Sequence, residues 1–276
     1  MSLERACKVV DLSRSVYYYR SIRDDRPVIE KLQQMADKRP TEGFWKMYFR
    51  IRREGLSWNH KRIHRVYKML KLNIKRKSKR RLPARIRQPL TIVGHLNDTW
   101  SMDFMSDSLM SGRKFRVFNL VDDFNREALA IEIDTSLPAE RIIRILEQII
   151  SWRGKPKRIR VDNGPEFISA KLTMWCEEHG IILQFIQPGR PMQNGFVERF
   201  NGSFRRAVLD AYLFEDLNQV RMLAQEWMDD YNYERPHDSF NGQSPALVKA
   251  VDLRKTPEEF PTNPQLITTT ITNEIF

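Results

Sequence analysis

Cysteine is scarce, with Cys7 and Cys176 the only two in 276 residues. They lie far apart and build neither a disulfide framework nor a four-cysteine zinc site, so a reducing compartment is expected. Long apolar runs are also missing. No stretch approaches the ~18–20 residues that cross a bilayer, and the charged opening Met1-Ser2-Leu3-Glu4-Arg5 lacks the apolar core of a secretory signal. A soluble cytoplasmic protein without a membrane partner is expected. The 14 Pro and 11 Gly are spread rather than clustered, which excludes collagen-like and wholly disordered chains.

Acidic residues are few where basic ones are dense. Residues 1–94 hold 26 Lys+Arg against 8 Asp+Glu, a local charge of +18, while residues 95–276 hold 21 against 27, or −6; together they give the formal +12. A basic segment beside a mildly acidic one suggests that the first grips a polyanion and the second does something else.

In the basic segment, residues 4–10 and 13–19 read as a helix-turn-helix with Ser13 as N-cap. Phe44, Met47 and Ile51 keep helical spacing before a turn at Glu54-Gly55, and Ile63, Val66, Tyr67 and Leu70 keep it in the next segment. Lys75, Arg76, Lys77, Lys79, Arg80 and Arg81 then place six cations in seven residues. Such a run repels itself unless phosphates neutralise it, so a nucleic-acid track is expected there. The segments read as a helical DNA-binding region over 1–74, a basic linker over 75–94, a second domain over 95–250 and a tail over 251–276.

From Asp98 the pattern turns to strands. Trp100, Met102 and Phe104 alternate with Ser101, Asp103 and Met105, and 114–121 and 127–133 are two further β-rich runs. A helix follows from Pro138, stopped by Gly154 and Pro156. Next come a strand over 158–161, a helix over 167–178, a strand over 181–186, and a helix from Asn194 through Glu198 and Arg205. The stripe Leu217, Val220, Ala224, Trp227 and Tyr231 marks a last amphipathic helix.

Three acids occupy informative places in this order: Asp103 in the first strand, Asp162 at the end of the fourth, and Glu198 early in the helix after the fifth. A buried acid within a hydrophobic strand costs several kcal/mol unless it is paired or metal-bound. Such a set supports two-metal phosphoryl transfer, in which carboxylate oxygens hold hard cations. Spacing alone is weak evidence, since an Asp–Glu pair at this separation arises roughly once by chance in this composition. Arg205, seven residues after Glu198, falls on the same helix face.

The residues around these acids carry a family pattern. Trp100-Ser101-Met102-Asp103-Phe104, Asp162-Asn163-Gly164-Pro165-Glu166-Phe167, and Pro191-Met192-Gln193-Asn194-Gly195-Phe196-Val197-Glu198-Arg199-Phe200-Asn201-Gly202-Ser203-Phe204-Arg205 resemble the DDE integrase core of bacterial insertion-sequence transposases, the OrfB part of the IS-three family in particular. Tyr231-Asn232-Tyr233-Glu234-Arg235-Pro236-His237 with Ser244-Pro245-Ala246 resembles that family's C-terminal signature, and residues 54–66 resemble its helix-turn-helix segment. Phe44-Trp45-Lys46 stands where the family often has a Tyr-Gly pair.

The resemblance implies an α/β, RNase H-like core, a five-stranded mixed sheet with helices, preceded by a basic all-helical region. It implies that Asp103, Asp162 and Glu198 bind two Mg²⁺ ions, with Mn²⁺ as a substitute, for strand cleavage and transfer without a covalent protein intermediate. Asn163, Asn194 and Arg205 are expected to touch DNA with the basic track. The implied partners are terminal inverted repeats, target DNA, a second copy or more of the chain on DNA, and OrfA as partner or fusion; nucleoid association follows when DNA is bound. The alternatives are a nuclease of the same fold and a non-catalytic DNA-binding subunit. His60 with His64 and Cys176 with His179 have metal-like spacing but no partner pair, so surface and helix-end roles are expected. Asp122 and Asp123 are expected in a loop. Trp45 and Trp58 are expected to pack in the helical core rather than stack on bases.

Overall fold

The computed structural model describes residues 2–19, 24–74, 94–164, 167, 169–186 and 194–248. The chain divides into two units, Met1–Lys79 and Arg80–Phe276, and each is taken by itself. The expected DNA track of Lys75, Arg76, Lys77, Lys79, Arg80 and Arg81 lies outside the described residues, as does the tail 251–276.

In the first unit, Ser2 and Ser13 accept hydrogen bonds from the amides of Arg5 and Val16, and these caps open α1 (Leu3–Val9) and α2 (Arg14–Tyr18). Helix α3 (Arg26–Lys38) was not anticipated from the sequence. Its signal is Val28, Leu32 and Met35 at four- and three-residue steps, all buried, behind Pro27 in the first turn. Helix α4 (Phe44–Arg53) ends at a turn where Gly55 adopts φ +85°, a region that favours glycine. Helix α5 (His60–Met69) is capped by the Asn59 side chain, which accepts from the Lys61 amide. The three longer helices close over Met47, Ile51, Ile63, Val66 and Tyr67 as well as the α3 residues. Each such side chain contributes roughly 1.5–3 kcal/mol through burial. Beneath them the buried Arg50 guanidinium donates to both oxygens of Glu42 at 2.9 and 2.8 Å, so the one charge buried on α4 is met.

The second unit is built on strands β1 (Thr99–Ser108), β2 (Lys114–Asp122), β3 (Ala128–Asp134), β4 (Arg158–Val161) and β5 (Ile182–Phe185). Their spatial order is β3-β2-β1-β4-β5. The first three form an antiparallel meander, whereas β4 runs parallel to both β1 and β5. Parallel neighbours need crossovers, which α6 (Ala139–Arg153) and α7 (Ala170–Glu178) supply. This is the five-stranded mixed sheet with helices that the family resemblance implied.

Alternation along β1 divides its side chains between two faces. Trp100 and Met102 enter the core under α6 and α7 with Ile159, Val161, Leu146 and Leu172. Met105 turns instead toward a second core with Phe115, Val117, Ile133 and Phe204. That face is covered by α8 (Gly195–Phe204) and α9 (Leu217–Asp229). Two boundaries differ from expectation. The helix expected from 167 begins at Ala170, and the helix from Asn194 ends at Phe204, with Arg205–Leu209 continuing as a wider π-type turn.

The Asp122–Glu127 segment is a hub in which Asp122, expected in a loop, closes β2, and Asp123 lies in the turn beyond it, both buried. Asp122 accepts from the amides of Asn97 and Phe124 at 3.0 and 2.9 Å, and Arg153 donates to it at 3.3 Å. Asp123, fully buried, pairs with Arg160 of β4 at 2.7 Å. Asn125 donates to the Pro245 carbonyl at 3.2 Å. At the start of β3, the Asn232 side chain accepts from the Ala128 amide and donates to the Ala128 carbonyl, each at 2.9 Å. Asn232 thereby completes the strand end as a neighbouring backbone would. The C-terminal signature thus has a structural use, holding the β2–β3 corner.

Candidate active site

The three acids are positioned by β1, the turn after β4, and the first turns of α8. In the parallel pairing of β1 with β4, Thr99 faces Arg158, Trp100 faces Ile159 and Ser101 faces Arg160. Asp103 lies two positions beyond the last paired residue of β1, and Asp162 two positions beyond that of β4, in the turn that follows Val161. Asp103 is half-buried rather than enclosed. Its own strand alternation turns it to the α8 face, opposite Trp100 and Met102.

Helix α8 reaches Asp103 through Asn201, whose side-chain amide donates to Asp103 Oδ2 at 2.8 Å. The same Asn201 accepts from Asn119 of β2 at 2.7 Å, and Asn119 lies directly opposite Asp103 in the antiparallel pairing. Asn201 was part of the sequence pattern but not singled out. Its place in the quoted motif, one turn after Glu198, was its signal, although Asn201 faces the sheet and Glu198 solvent. Asp103 Oδ1 also accepts from the Phe104 amide at 2.8 Å.

Asp162 accepts from the Gly164 amide at 2.9 Å, which fixes the turn after β4. Glu198 stands on the exposed side of α8, and partial desolvation by the surrounding protein raises its carboxyl above the usual range. Among the described residues, no three His, Cys, Asp or Glu side chains stand gathered as a metal cluster. The donor set is nevertheless all carboxylate, which suits a hard divalent cation.

Two of the expected DNA contacts, Asn163 and Arg205, are already engaged within the protein. Asn163 donates to the Ile186 carbonyl at 3.0 Å, tying the β4 turn to the end of β5. Arg205 is held by Asp107 at 3.3 Å and by the Ser106 carbonyl at 3.0 Å, alongside β1 rather than beside Glu198. Asn194 is buried at the start of α8, and its Oδ1 has no hydrogen-bond partner. Nearby in sequence, the Arg126 guanidinium lies 3.1 Å from the Phe196 ring centroid. A cavity of about 570 Å³ opens at the N-terminal ends of α6 and α7 beside Arg116 and Lys171, and none of the three acids lines it.

The remaining motif candidates have structural settings. Cys176 is buried, and desolvation pushes its thiol up to about 11, where it is unreactive at neutral pH. His179 stacks on Trp175 at 4.5 Å. Asp122 and Asp123 serve the hub already described.

The mixed sheet carries one acid on β1, one in the turn after β4 and one on α8, with an asparagine bonded to the first. Two integrase core domain family models match the chain, one over residues 95–191 and one over 179–245. The chain is similar to the insertion element IS407 31.7 kDa protein of Burkholderia multivorans, 37% identical over 91% of each chain. It is also similar to the insertion element IS476 39.2 kDa protein of Xanthomonas euvesicatoria, 35% identical over 91% of this chain and 73% of that one. Among solved structures, the HTLV-2 integrase catalytic core domain in complex with magnesium is 22% identical, with a TM-score of 0.45 over 57% of this chain and 97% of that one. The chain belongs to the insertion-sequence transposases that carry an integrase core.

Proposed function

We propose that this transposase cleaves DNA at the ends of an insertion sequence and joins the freed ends to target DNA, with Asp103, Asp162 and Glu198 as its catalytic acids. The observation that supports this reading is the Asn201 bond, which ties α8, the helix that bears Glu198, to Asp103. The three carboxylates would hold the metal. Two bound Mg²⁺ ions, or Mn²⁺ in their place, supply activation of the attacking hydroxyl and stabilisation of the leaving oxygen.

The chain's own residues do the positioning. Asn201 keeps Asp103 aimed along one rotamer, with Asn119 locking Asn201 in turn. The Asp162–Gly164 turn bond prevents the second acid from swinging away. Asn194, Asn163 and Arg205 are proposed to border the DNA path; for the latter two this means exchanging a present partner for a phosphate. The basic run from Lys75 to Arg81 is proposed to neutralise backbone phosphates, so affinity should fall steeply with salt. Synapsis of two ends requires at least two copies of the chain on DNA, and an OrfA partner or fusion is proposed to complete end recognition.

The test is a Mg²⁺-dependent strand-transfer assay on labelled DNA carrying an element end, with wild type beside Asp162→Asn. Joined product from wild type alone supports the reading. Equal joining by the variant would remove Asp162 from the chemistry. Cleavage without joining, persisting after OrfA is supplied, would favour a nuclease.

A further inference from the structure

The outer face of α4 and α5 in the first unit carries a group of aromatic rings of which Phe44 and Tyr48 pack against the helical core and Trp45 does not. Trp58 packs against the helical core, as expected from the sequence. Trp45 does not join that cluster, and 48% of its surface is exposed. Around it stand Phe44 at 5.2 Å, Tyr48 at 5.9 Å and, nearly parallel to it, His60 at 6.5 Å between ring centroids. His64 continues the surface, 4.7 Å from Phe44. An indole left half in water on a folded helix forgoes much of its burial energy.

Charge around this surface selects the occupant. Residues 24–74 hold 13 Lys+Arg against 6 Asp+Glu, a net +7. Four of those acids, Asp24, Asp25, Glu42 and Glu54, are engaged by Arg or Lys within the unit. Arg52 lies one turn beyond Tyr48 on the same face of α4, and Lys68 lies one turn beyond His64 on α5. Both are exposed, as is Lys61 beside His60. Flat aromatic rings rimmed by exposed cations are the chemistry that holds a single nucleic-acid strand, rings stacking on bases while cations meet phosphates. An apolar protein partner would leave those cations desolvated without counter-charge.

We propose that Trp45, flanked by Tyr48 and His60, is a stacking platform for an unpaired DNA base, with Arg52, Lys61 and Lys68 holding the adjoining phosphates. This rests on the transposase reading above and deepens it. The first unit would then engage a frayed or overhanging end in addition to duplex.

The experiment uses the full chain and two oligonucleotides of one sequence, a blunt duplex and a duplex with a short overhang carrying 2-aminopurine. Wild type is compared with Trp45→Ala and Trp45→Phe. Loss of one base–aromatic stack is expected to weaken overhang binding by about 5- to 150-fold. Blunt-duplex affinity should stay within about twofold, and Trp45→Phe should retain most of the overhang affinity and the 2-aminopurine quenching. If Trp45→Ala weakens both DNAs equally, or neither, the stacking assignment is overturned. If wild type binds neither DNA, the transposase reading fails and this one with it, a pattern distinct from the other two.

Discussion

Replacing Asn201 with alanine removes the side chain through which α8 meets β1. Asn201 donates to the Asp103 carboxylate at 2.8 Å and accepts from Asn119 at 2.7 Å, and Asn119 is fully buried. The first bond is charge-assisted, worth about 1.5–3 kcal/mol; the second loss leaves the buried Asn119 amide with only the weak Met105 Sδ acceptor, at about 1–3 kcal/mol. A total near ~3 kcal/mol follows if the two overlap in part. With a urea dependence of roughly 2 kcal/mol per molar, the unfolding midpoint of the catalytic unit should drop by about 1.5 M. Activity should fall further than stability explains, because Asp103 loses the group that fixes its rotamer. Strand transfer measured well below the unfolding transition isolates that part, and a fall of tenfold or more is expected. An Asn201→Ala protein that loses under about 1 kcal/mol and joins DNA at the wild-type rate would refute the positioning role.

Two further outcomes follow from the hub beside the sheet. Arg160→Met leaves Asp123 buried without its partner and should destabilise the unit by about 3–5 kcal/mol at neutral pH. Burial already lifts the Asp123 carboxyl from 3.8 to about 6. The folded chain therefore takes up a proton before the unfolded chain does, and the penalty from this group is full above pH 6 and gone below about 4. The wild-type-minus-variant stability difference, measured by urea unfolding across pH 4 to 8, should therefore shrink on acidification; a difference that grows would contradict the assignment. Asn232→Ala removes both bonds to the Ala128 backbone, and hydrogen exchange at the start of β3 should accelerate by roughly tenfold or more if the clamp is as described; unchanged exchange there would show that it is not.

Much of the core was legible because its determinants are local. The period-two alternation of Trp100, Met102 and Phe104 comes directly from strand geometry, and the crossover helices carry their apolar stripes in sequence. Helix α3 was missed because its apolar positions are few and lie among Arg, Lys, Asp and Glu, although Pro27 and the Val28–Leu32–Met35 spacing were there to see. Asp122 and Asp123 read as loop residues, since nothing local distinguishes a solvated turn from one whose acids meet Asn97, Arg153 and Arg160 from distant segments. Trp45 and Trp58 likewise look alike in sequence, yet only Trp58 packs against the core.

The sequence by itself determined the class: the three acid-bearing motifs, the strand and helix order, and the charge division between the two units are all properties of neighbours along the chain. The tertiary structure decided which side chains serve those acids. Strand pairing put Asp103 opposite Asn119, and helix packing brought Asn201 across 98 residues to Asp103. It also engaged Arg205 with Asp107 and Asn163 with Ile186. Those choices depend on register and on which helix face meets the sheet, and both are settled only when burial and hydrogen bonding are satisfied at once.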